Sequence, residues 1–230
     1  MATIYKKGSP RSEVVRQIQK ALHVYPDGIY GDVTTEAVMN FQRTHGLKVD
    51  GVVGPATLAK LLPSVTATAL HLKRSTRRID EIVIHCTATR EGQNYTVDDI
   101  RRWHTTPKSK GGRGWSDIGY HYVVYLDGSV HNGRDVNIAG AHVENRNSHT
   151  IGIVYVGGLD KNGKSKDTRT EAQKAALLSL LLDLRKFYPK AKILGHRDCS
   201  PDKNHNGIIE PWEWLKDCPC FSAITEYSRI

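Results

Sequence analysis

Two histidines and one cysteine have the residue types and positions that suit metal chemistry. His85 follows the apolar run IVI, His196 follows ILG, and Cys218 lies in KDCPCF. The two histidines therefore stand at the ends of predicted buried strands, where side chains leave the sheet. Two imidazoles and one thiolate form the three-ligand set of a catalytic zinc site, which leaves the fourth position for water. Such a site activates water and polarises a carbonyl, which is the chemistry of amide hydrolysis.

The positions of these residues do not by themselves establish a metal site. The chain has 11 histidines, and a histidine at a strand end is often a structural residue with satisfied hydrogen bonds. Consecutive strand residues face opposite sides of a sheet, so His121 and its neighbour Tyr120 are not expected to serve one site. The other candidate histidines are His104, His121, His131, His142 and His149.

The second part of the chain predicts a domain that could position these side chains. EIVIHC, IGIVYVGG and AKILGH predict strands, and YHYVVYLDGSVHN predicts a hairpin that turns at Asp127-Gly128. One helix should begin after a capping box of Thr96 and Asp99, and a long leucine-rich helix should begin after Thr170. Strands covered by helices predict an α/β domain with a mixed central sheet packed by helices.

An internal repeat predicts a small all-α domain of three helices before the α/β domain. DGIYGDVT, which ends at Thr34, recurs as DGVVGPAT, which ends at Thr57, and apolar residues at helical spacing accompany both copies. Each Asp-Gly pair predicts a tight turn, and the two threonines are expected to cap helices. We expect domains at 1–63 and 79–230, joined by a solvated linker at 64–78.

Composition and charge narrow the class of protein. The chain of 230 residues has 33 Lys and Arg against 24 Asp and Glu, which gives a net charge of +9 and favours polyanionic partners. The longest apolar stretch, AALLSLLL, is far shorter than the ~18 residues of a membrane span. We find no signal peptide, so we expect synthesis in the cytoplasm.

The four cysteines fit thiols or metal ligands better than a disulfide framework, because no signal peptide places the chain in an oxidising compartment. Beyond Cys218, no pattern assigns a function to Cys86, Cys199 or Cys220. Small buried thiols are the expectation for these three residues.

Two resemblances connect these features to known families. The residues from Gly8 to Leu62, ending in FQRTHGLKVDGVVGPATLAKLL, resemble the three-helix peptidoglycan-binding module found beside many cell-wall hydrolases. IVIHCTAT, WSDIGYHYVV, GRDVNIAGAH, NSHTIGIVYVGGLD, GHRD and KDCPCF, in this order, resemble the zinc-dependent N-acetylmuramoyl-L-alanine amidases of the bacteriophage lysozyme and peptidoglycan-recognition-protein type. The second resemblance spans nearly all of the α/β domain.

The amidase resemblance implies a function for several side chains. It implies that His85, His196 and Cys218 hold zinc and that Tyr120 and Lys216 are the catalytic pair. An ammonium and a phenol could donate to the oxyanion that forms when an amide is attacked. The resemblance also places His142 near the zinc, where we expect it to contact substrate.

The segment between His196 and Cys218 contains a further pattern, DKNHNGIIEPWE at 202–213, which matches a calcium-binding loop. Its Gly207 falls at the turn position, and no helix is expected before the loop because Pro201 precedes it. Such a loop would hold the segment so that Lys216 returns to the zinc cleft. The predicted calcium ligands are Asp202, Asn204, Asn206, Ile208 and Glu213.

The leading hypothesis is an endolysin-like peptidoglycan hydrolase, which we expect to be a monomer. It would cleave the amide between N-acetylmuramic acid and L-alanine with zinc-activated water, and it would act on the cell wall after release or export by a separate route. The alternative is a peptidoglycan-binding sensor of the same fold without catalysis. A nucleic-acid binder would explain the basic charge, but the sequence has no recognition motif for one. A glycosidase needs a carboxylate pair across the sugar bond, and the acidic residues show no such arrangement.

Overall fold

The computed structural model of the chain describes residues 4–61, 70 and 72–230. Within 4–61, three helices form the predicted all-α region: α1 (Glu13–Ala21), α2 (Asp32–Thr44) and α3 (Pro55–Leu61). No helix in the described ranges has the length and apolar character of a membrane span.

A buried glutamine of α1 organises the first copy of the repeat. Gln19 Nε2 donates to Asp27 Oδ1 at 2.7 Å and to Thr34 Oγ1 at 3.0 Å, and Gly28 N donates to Gln19 Oε1 at 2.8 Å. The N-cap of α2 is Gly31, so Thr34 lies inside the helix. The prediction that Thr34 caps α2 is therefore wrong, because its hydroxyl accepts from the glutamine instead.

The second copy repeats this network with a glutamine of α2. Gln42 Nε2 donates to Asp50 Oδ1 at 3.0 Å and to Thr57 Oγ1 at 3.1 Å, and Gly51 N donates to Gln42 Oε1 at 2.9 Å. Because α3 begins at Pro55, Thr57 is also not the predicted cap. The repeat therefore encodes a glutamine-centred hydrogen-bond network that ties each turn to the following helix.

The α/β region contains the predicted mixed sheet. The strands in the described residues from 72 onward are β1 (Glu81–Cys86), β2 (Thr89–Arg90), β3 (Tyr122–Val124), β4 (Val130–Asn132), β5 (Thr150–Tyr155), β6 (Gly158–Leu159) and β7 (Lys192–Gly195). Five of them pair in the order β4-β3-β5-β1-β7, where β1 runs parallel to β5 and β7, and β3 runs parallel to β5 and antiparallel to β4. A separate pair joins β2 to β6.

Helices cover both faces of this sheet, as predicted. The long helix α5 (Glu171–Phe187) begins at a Thr170 capping box, and its leucines share one core with the Ile82 and Ile84 side chains of β1. The helix α4 (Val97–Thr105) begins at a Thr96–Asp99 capping box and contributes to the core on the other face. A short helix, α6 (Ala223–Glu226), lies near the C-terminus. Because strand side chains alternate, His85 points away from α5.

The described part of the predicted linker, residues 72–78 and Leu70, differs from the expectation of a solvated segment. Ser75 is 6% exposed, and its hydroxyl donates to Val136 O at 2.7 Å while its N–H donates to Tyr188 Oη at 2.6 Å. Arg77 donates to Val136 O and Asn147 O. Residues 72–78 therefore pack on the α/β region, and the rest of the predicted linker lies outside the described residues.

The glutamine network predicts that Gln42→Ala destabilises the helical region. The change leaves the buried N–H of Gly51 and the hydroxyl of Thr57 without their partner, which should cost about 1–3 kcal/mol. Native-state amide hydrogen exchange of residues 4–61 measures this free energy of opening. The control Asn40→Ala removes an exposed amide from the same helix and should change it by less than about 0.5 kcal/mol. Equal effects of the two changes would contradict the network's importance.

Candidate metal centre

The pairing of two strands brings the predicted histidine ligands together. β1 and β7 are parallel neighbours in which Ile84 is opposite Gly195, so His85 and His196 occupy the next position on each strand. Their ring centroids are 4.6 Å apart. His196 begins a 3₁₀ turn that ends at Cys199, and the turn directs its half-buried ring toward the buried ring of His85.

The C-terminal segment supplies the third predicted ligand. Cys218 Sγ lies 3.8 Å from His85 Nδ1, and the backbone N–H of Cys86 donates to the same sulfur at 3.3 Å. One ligand atom from each of His85, His196 and Cys218 lies within 4.8 Å of the other two. The structure therefore brings together residues that are up to 133 positions apart in the sequence.

The surroundings keep both imidazoles neutral. Burial lowers the pKa of His85 well below its ordinary value, and His142 and His196 when protonated, together with the charge of Lys216, act in the same direction. The pKa of His196 is lowered to about 4 by burial and by Lys216. Neutral imidazoles keep the lone pairs that a metal ion requires.

Tyr120 lies beside this group, as predicted. Its ring centroid is 5.1 Å from that of His85. Burial raises its pKa above the ordinary value, and the thiols of Cys218 and Cys86 act in the same direction when ionised. The phenol therefore remains protonated at neutral pH and can donate a hydrogen bond.

Two residues to which the sequence assigned no function hold the backbone around Tyr120. His104 of α4 accepts from Gly119 N at 3.0 Å, and its ring centroid is 5.5 Å from that of Tyr120. Arg134 is 8% exposed, and its N–H donates to Tyr120 O at 2.8 Å, while its guanidinium donates to Ile118 O at 2.7 Å. Arg134 belongs to the GRDVN motif, which was the available signal. No local sequence pattern indicates this contact of His104, because the contact joins a helix to a distant loop.

Lys216 is exposed and lies on the C-terminal segment close to the ligand group. It lines a small cavity together with His196, Cys199, Ser200 and Leu215. Its charge lowers the pKa of His196, which is consistent with a short separation between the two side chains. The predicted catalytic lysine thus lines the same cavity as one predicted ligand, His196.

His142 lies near the ligand group, but its location differs from the predicted substrate contact. The residue is 8% exposed. Its Nδ1 is 3.0 Å from His85 Nε2, and its Nε2 is 3.2 Å from Thr150 Oγ1. Both ring nitrogens are therefore occupied by protein groups, and the ring lies behind His85 instead of facing the opening.

The remaining histidine beside Tyr120 is separate from the ligand set. His121 is fully buried and accepts from Gly152 N at 2.9 Å, while its Nε2 lies 3.1 Å from Ile138 O. His121 therefore does not join the ligand set, but the expected strand alternation with Tyr120 does not apply, because β3 begins at Tyr122. His131 is also engaged elsewhere, because its ring stacks on Tyr125 at a centroid distance of 3.9 Å.

The predicted calcium loop folds into a compact turn. Asp202 accepts from Asn206 N at 3.2 Å and from Gly207 N at 2.7 Å. Gly207 has a φ of +82°, a conformation that favours glycine and suits the predicted turn position. Asn204 Oδ1 accepts from Asn206 N at 3.1 Å, so the first half of the loop is held by its own side chains.

The last predicted calcium ligand points back into the loop. Glu213 is fully buried, and its carboxylate accepts from Lys203 N at 2.6 Å and from Glu210 N at 2.8 Å. Ile208 is 64% exposed at the loop surface. The loop therefore joins its two ends through Glu213, and backbone donors satisfy this carboxylate within the protein itself.

The other three cysteines are free thiols. Cys86 Sγ lies 3.8 Å from Cys220 Sγ, and Cys199 Sγ lies 3.8 Å from Gly195 O. The pKa of all three thiols is raised above the ordinary value, for Cys86 chiefly by its contact with Cys218, for Cys220 chiefly by its contact with Cys86, and for Cys199 by burial. Protonated thiols of this kind are inert under ordinary conditions.

Comparisons with known proteins match both regions of the chain. A family model described as N-acetylmuramoyl-L-alanine amidase matches residues 75–208, and one for a peptidoglycan binding domain matches residues 11–61. The amidase match ends before Lys216 and Cys218. The placement of these two residues therefore rests on the geometry described above.

The chain is also similar to individual proteins over parts of its length. The chain is 53% identical over 98 residues to an uncharacterized protein of Haemophilus influenzae, which covers 43% of this chain and 84% of that protein. It is 36% identical over 132 residues to the endolysin of Enterobacteria phage K11, which covers 57% of this chain and 83% of the endolysin. A solved structure, the Ph2119 endolysin from Thermus scotoductus MAT2119 bacteriophage Ph2119, is 31% identical with a TM-score of 0.46, over 64% of this chain and 80% of that one.

Proposed function

The chain belongs to the N-acetylmuramoyl-L-alanine amidase family and is a peptidoglycan hydrolase, and from this premise we propose that it works with a zinc ion held by His85, His196 and Cys218. The convergence of these three side chains carries the proposal. The bond cleaved is the amide between N-acetylmuramic acid and L-alanine. The similarity to an endolysin favours this hydrolase over the alternative of a sensor without catalysis.

The donor set fits zinc better than a hard cation. Two neutral imidazoles and a sulfur are borderline-soft donors, whereas calcium and magnesium prefer oxygen ligands. Three protein ligands leave one coordination position open to the cleft, as in catalytic zinc sites. When bound there, the ion would lower the pKa of water and polarise the amide carbonyl.

The protein also orients the sulfur that such a site needs. The N–H of Cys86 donates to Cys218 Sγ at 3.3 Å, which holds the sulfur beside β1. Because β1 holds the backbone of Cys86 rigidly, the same strand fixes His85 and orients the sulfur. The two ligands are thus positioned by one element.

Tyr120 and Lys216 supply donors on the open side of the site. Attack on the amide carbonyl places negative charge on its oxygen, and preorganised donors aimed at that oxygen lower the barrier. Tyr120 donates from a phenol that burial keeps protonated. Lys216 adds an ammonium on the segment that carries Cys218, so the donor and the ligand belong to the same segment.

The helical region brings the enzyme to its substrate. Its match to a peptidoglycan binding domain supports binding to the wall polymer, and we propose that this region is the separate domain at 1–63. Attachment to the same polymer raises the local concentration of scissile bonds without new contacts at the site. The net charge of +9 assists the encounter with an anionic envelope.

Removal of the metal should abolish cleavage. We expect stoichiometric zinc in the purified wild-type protein by elemental analysis. Chelator treatment should lower the release of peptide stems from purified peptidoglycan by at least about 1,000-fold, because the ion supplies several kcal/mol of barrier reduction. Added zinc should restore the activity, and no new reducing ends should appear.

The ligand assignment is tested in the same assay by Cys218→Ser and His196→Ala, which should lose both zinc and activity. Cys199→Ser is the matched control, since this half-buried thiol lies outside the ligand set. Full activity of the wild type after complete demetallation would exclude the proposed mechanism.

The proposed donors predict a loss of turnover rather than of binding. Tyr120→Phe and Lys216→Met should each lower kcat on the order of 100-fold, with KM changed less than about threefold, because each donor acts on charge that develops during attack. Tyr95→Phe and Lys190→Met are the controls, and they should retain wild-type kcat. Tyr120→Phe turnover at the wild-type rate would remove this residue from the mechanism.

We also propose that the loop Asp202–Glu213 binds calcium weakly. The positive φ of Gly207 and the inward Glu213 carboxylate support it, and the neutral Asn204 and Asn206 reduce the charge of the ligand set. We expect a dissociation constant of about 10⁻⁵ to 10⁻³ M by calorimetric titration with calcium chloride. Asp202→Asn should abolish the binding heat, and no heat from wild-type protein at millimolar calcium would refute the proposal.

A further inference from the structure

The buried ring of His142, behind the ligand group, packs against the backbone of two glycines. A Cβ atom at Gly140 would lie 2.5 Å from Cδ2 of His142, and a Cβ at Gly152 would lie 2.6 Å from the same atom. Neither glycine has a positive φ, so backbone conformation does not require glycine at these positions. The absence of a side chain instead leaves the space that the imidazole occupies. A side chain at either glycine would therefore displace the His142 ring.

The contacts of the His142 ring with His85 and Thr150 define one arrangement of protons on the two imidazoles. His85 Nδ1 faces Cys218 Sγ, so it is the nitrogen available to the metal. A neutral His85 then carries its proton on Nε2, which donates to His142 Nδ1 at 3.0 Å. A neutral His142 carries its own proton on Nε2 and donates to Thr150 Oγ1 at 3.2 Å. The pattern of partners assigns both tautomers without conflict.

We propose that His142 is a positioning residue that accepts a hydrogen bond from His85 and thereby fixes the tautomer and ring orientation in which His85 binds the metal. This inference rests on the proposed zinc site. Metal-bound histidines usually donate their second N–H to a protein acceptor, and loss of that acceptor lowers metal affinity by about 10- to 100-fold. In this chain, the acceptor is another imidazole.

Two other functions for His142 fit the structure less well. Substrate contact requires access, whereas His142 is 8% exposed and both ring nitrogens have protein partners. Direct metal coordination requires a free lone pair on the cleft side. The lone pair of Nδ1 is directed at His85, on the side of that ring away from Cys218.

The hydrogen-bonded series ends on the neighbouring strand. Thr150 is the first residue of β5, which pairs with β1 in parallel, and its side chain is fully buried. Thr150 Oγ1 accepts from His142 and keeps its own hydrogen free to rotate toward another acceptor. The arrangement thus connects His85 to a rigid part of the sheet through His142 and leaves no charge in the interior.

The test compares zinc affinity in three forms of the full chain. Competition with a chromophoric chelator at neutral pH gives the zinc dissociation constant of wild type, His142→Leu and His142→Asn. We expect His142→Leu to bind zinc 10- to 100-fold more weakly. His142→Asn should stay within about threefold of wild type, because Oδ1 of asparagine can occupy the acceptor position of Nδ1.

His121→Leu is the matched control for a purely structural effect. His121 is also buried, and its ring centroid is 5.8 Å from that of His142, but its ring nitrogens contact Gly152 N, Ile138 O and the Arg77 guanidinium instead of His85. We expect a lower Tm with nearly unchanged zinc affinity. Equal losses of affinity in His121→Leu and His142→Leu would overturn the positioning function.

Nitrogen-15 spectra of the imidazoles in the zinc-loaded wild type provide a test that needs no folded variant. We expect protons on Nε2 of both His85 and His142. A proton on Nδ1 of His142, or wild-type zinc affinity in folded His142→Leu, would overturn this inference while leaving the zinc site intact. Failure of the wild type to bind zinc would instead refute the proposed function.

Discussion

The parallel pairing of β1 with β7 is the constraint on which the site depends. This register puts His85 and His196 side by side at the carboxyl ends of the two strands, although the residues are 111 positions apart in the sequence. A shift of one residue in either strand would turn one imidazole to the opposite face, because strand side chains alternate. The buried isoleucines of β1, which pack against α5, prevent such a shift. The hydrophobic core thus fixes the geometry of the polar site.

Burial also determines the chemistry of the side chains at this edge. It keeps both imidazoles neutral and the Tyr120 phenol protonated, so that lone pairs and donors are present at neutral pH. The C-terminal segment completes the group by returning to β1, where the N–H of Cys86 meets Cys218. Ligands, donor and supporting backbone therefore belong to a few rigid elements, which is what a preorganised catalytic site needs.

The helical region is organised by a hydrogen-bond network that occurs twice. Each copy places one buried glutamine amide where it bonds both an Asp-Gly turn and a helical threonine. A small region has few apolar residues to bury, so satisfied polar networks specify its turns. The region can thus serve as a compact attachment to the wall while the α/β region carries the chemistry.

The sequence by itself determined the α/β and all-α architecture, the capping box at Thr96, the helix start at Thr170 and the ligand candidates, because these depend on local patterns or on recognisable motifs. The tertiary structure decided the rest. His142 lies 57 residues from His85 and supports it from behind, and the threonines of the repeat accept from glutamines instead of capping helices. Contacts between distant residues depend on how the elements pack, and periods of 2 or 3.6 residues carry no information about that packing.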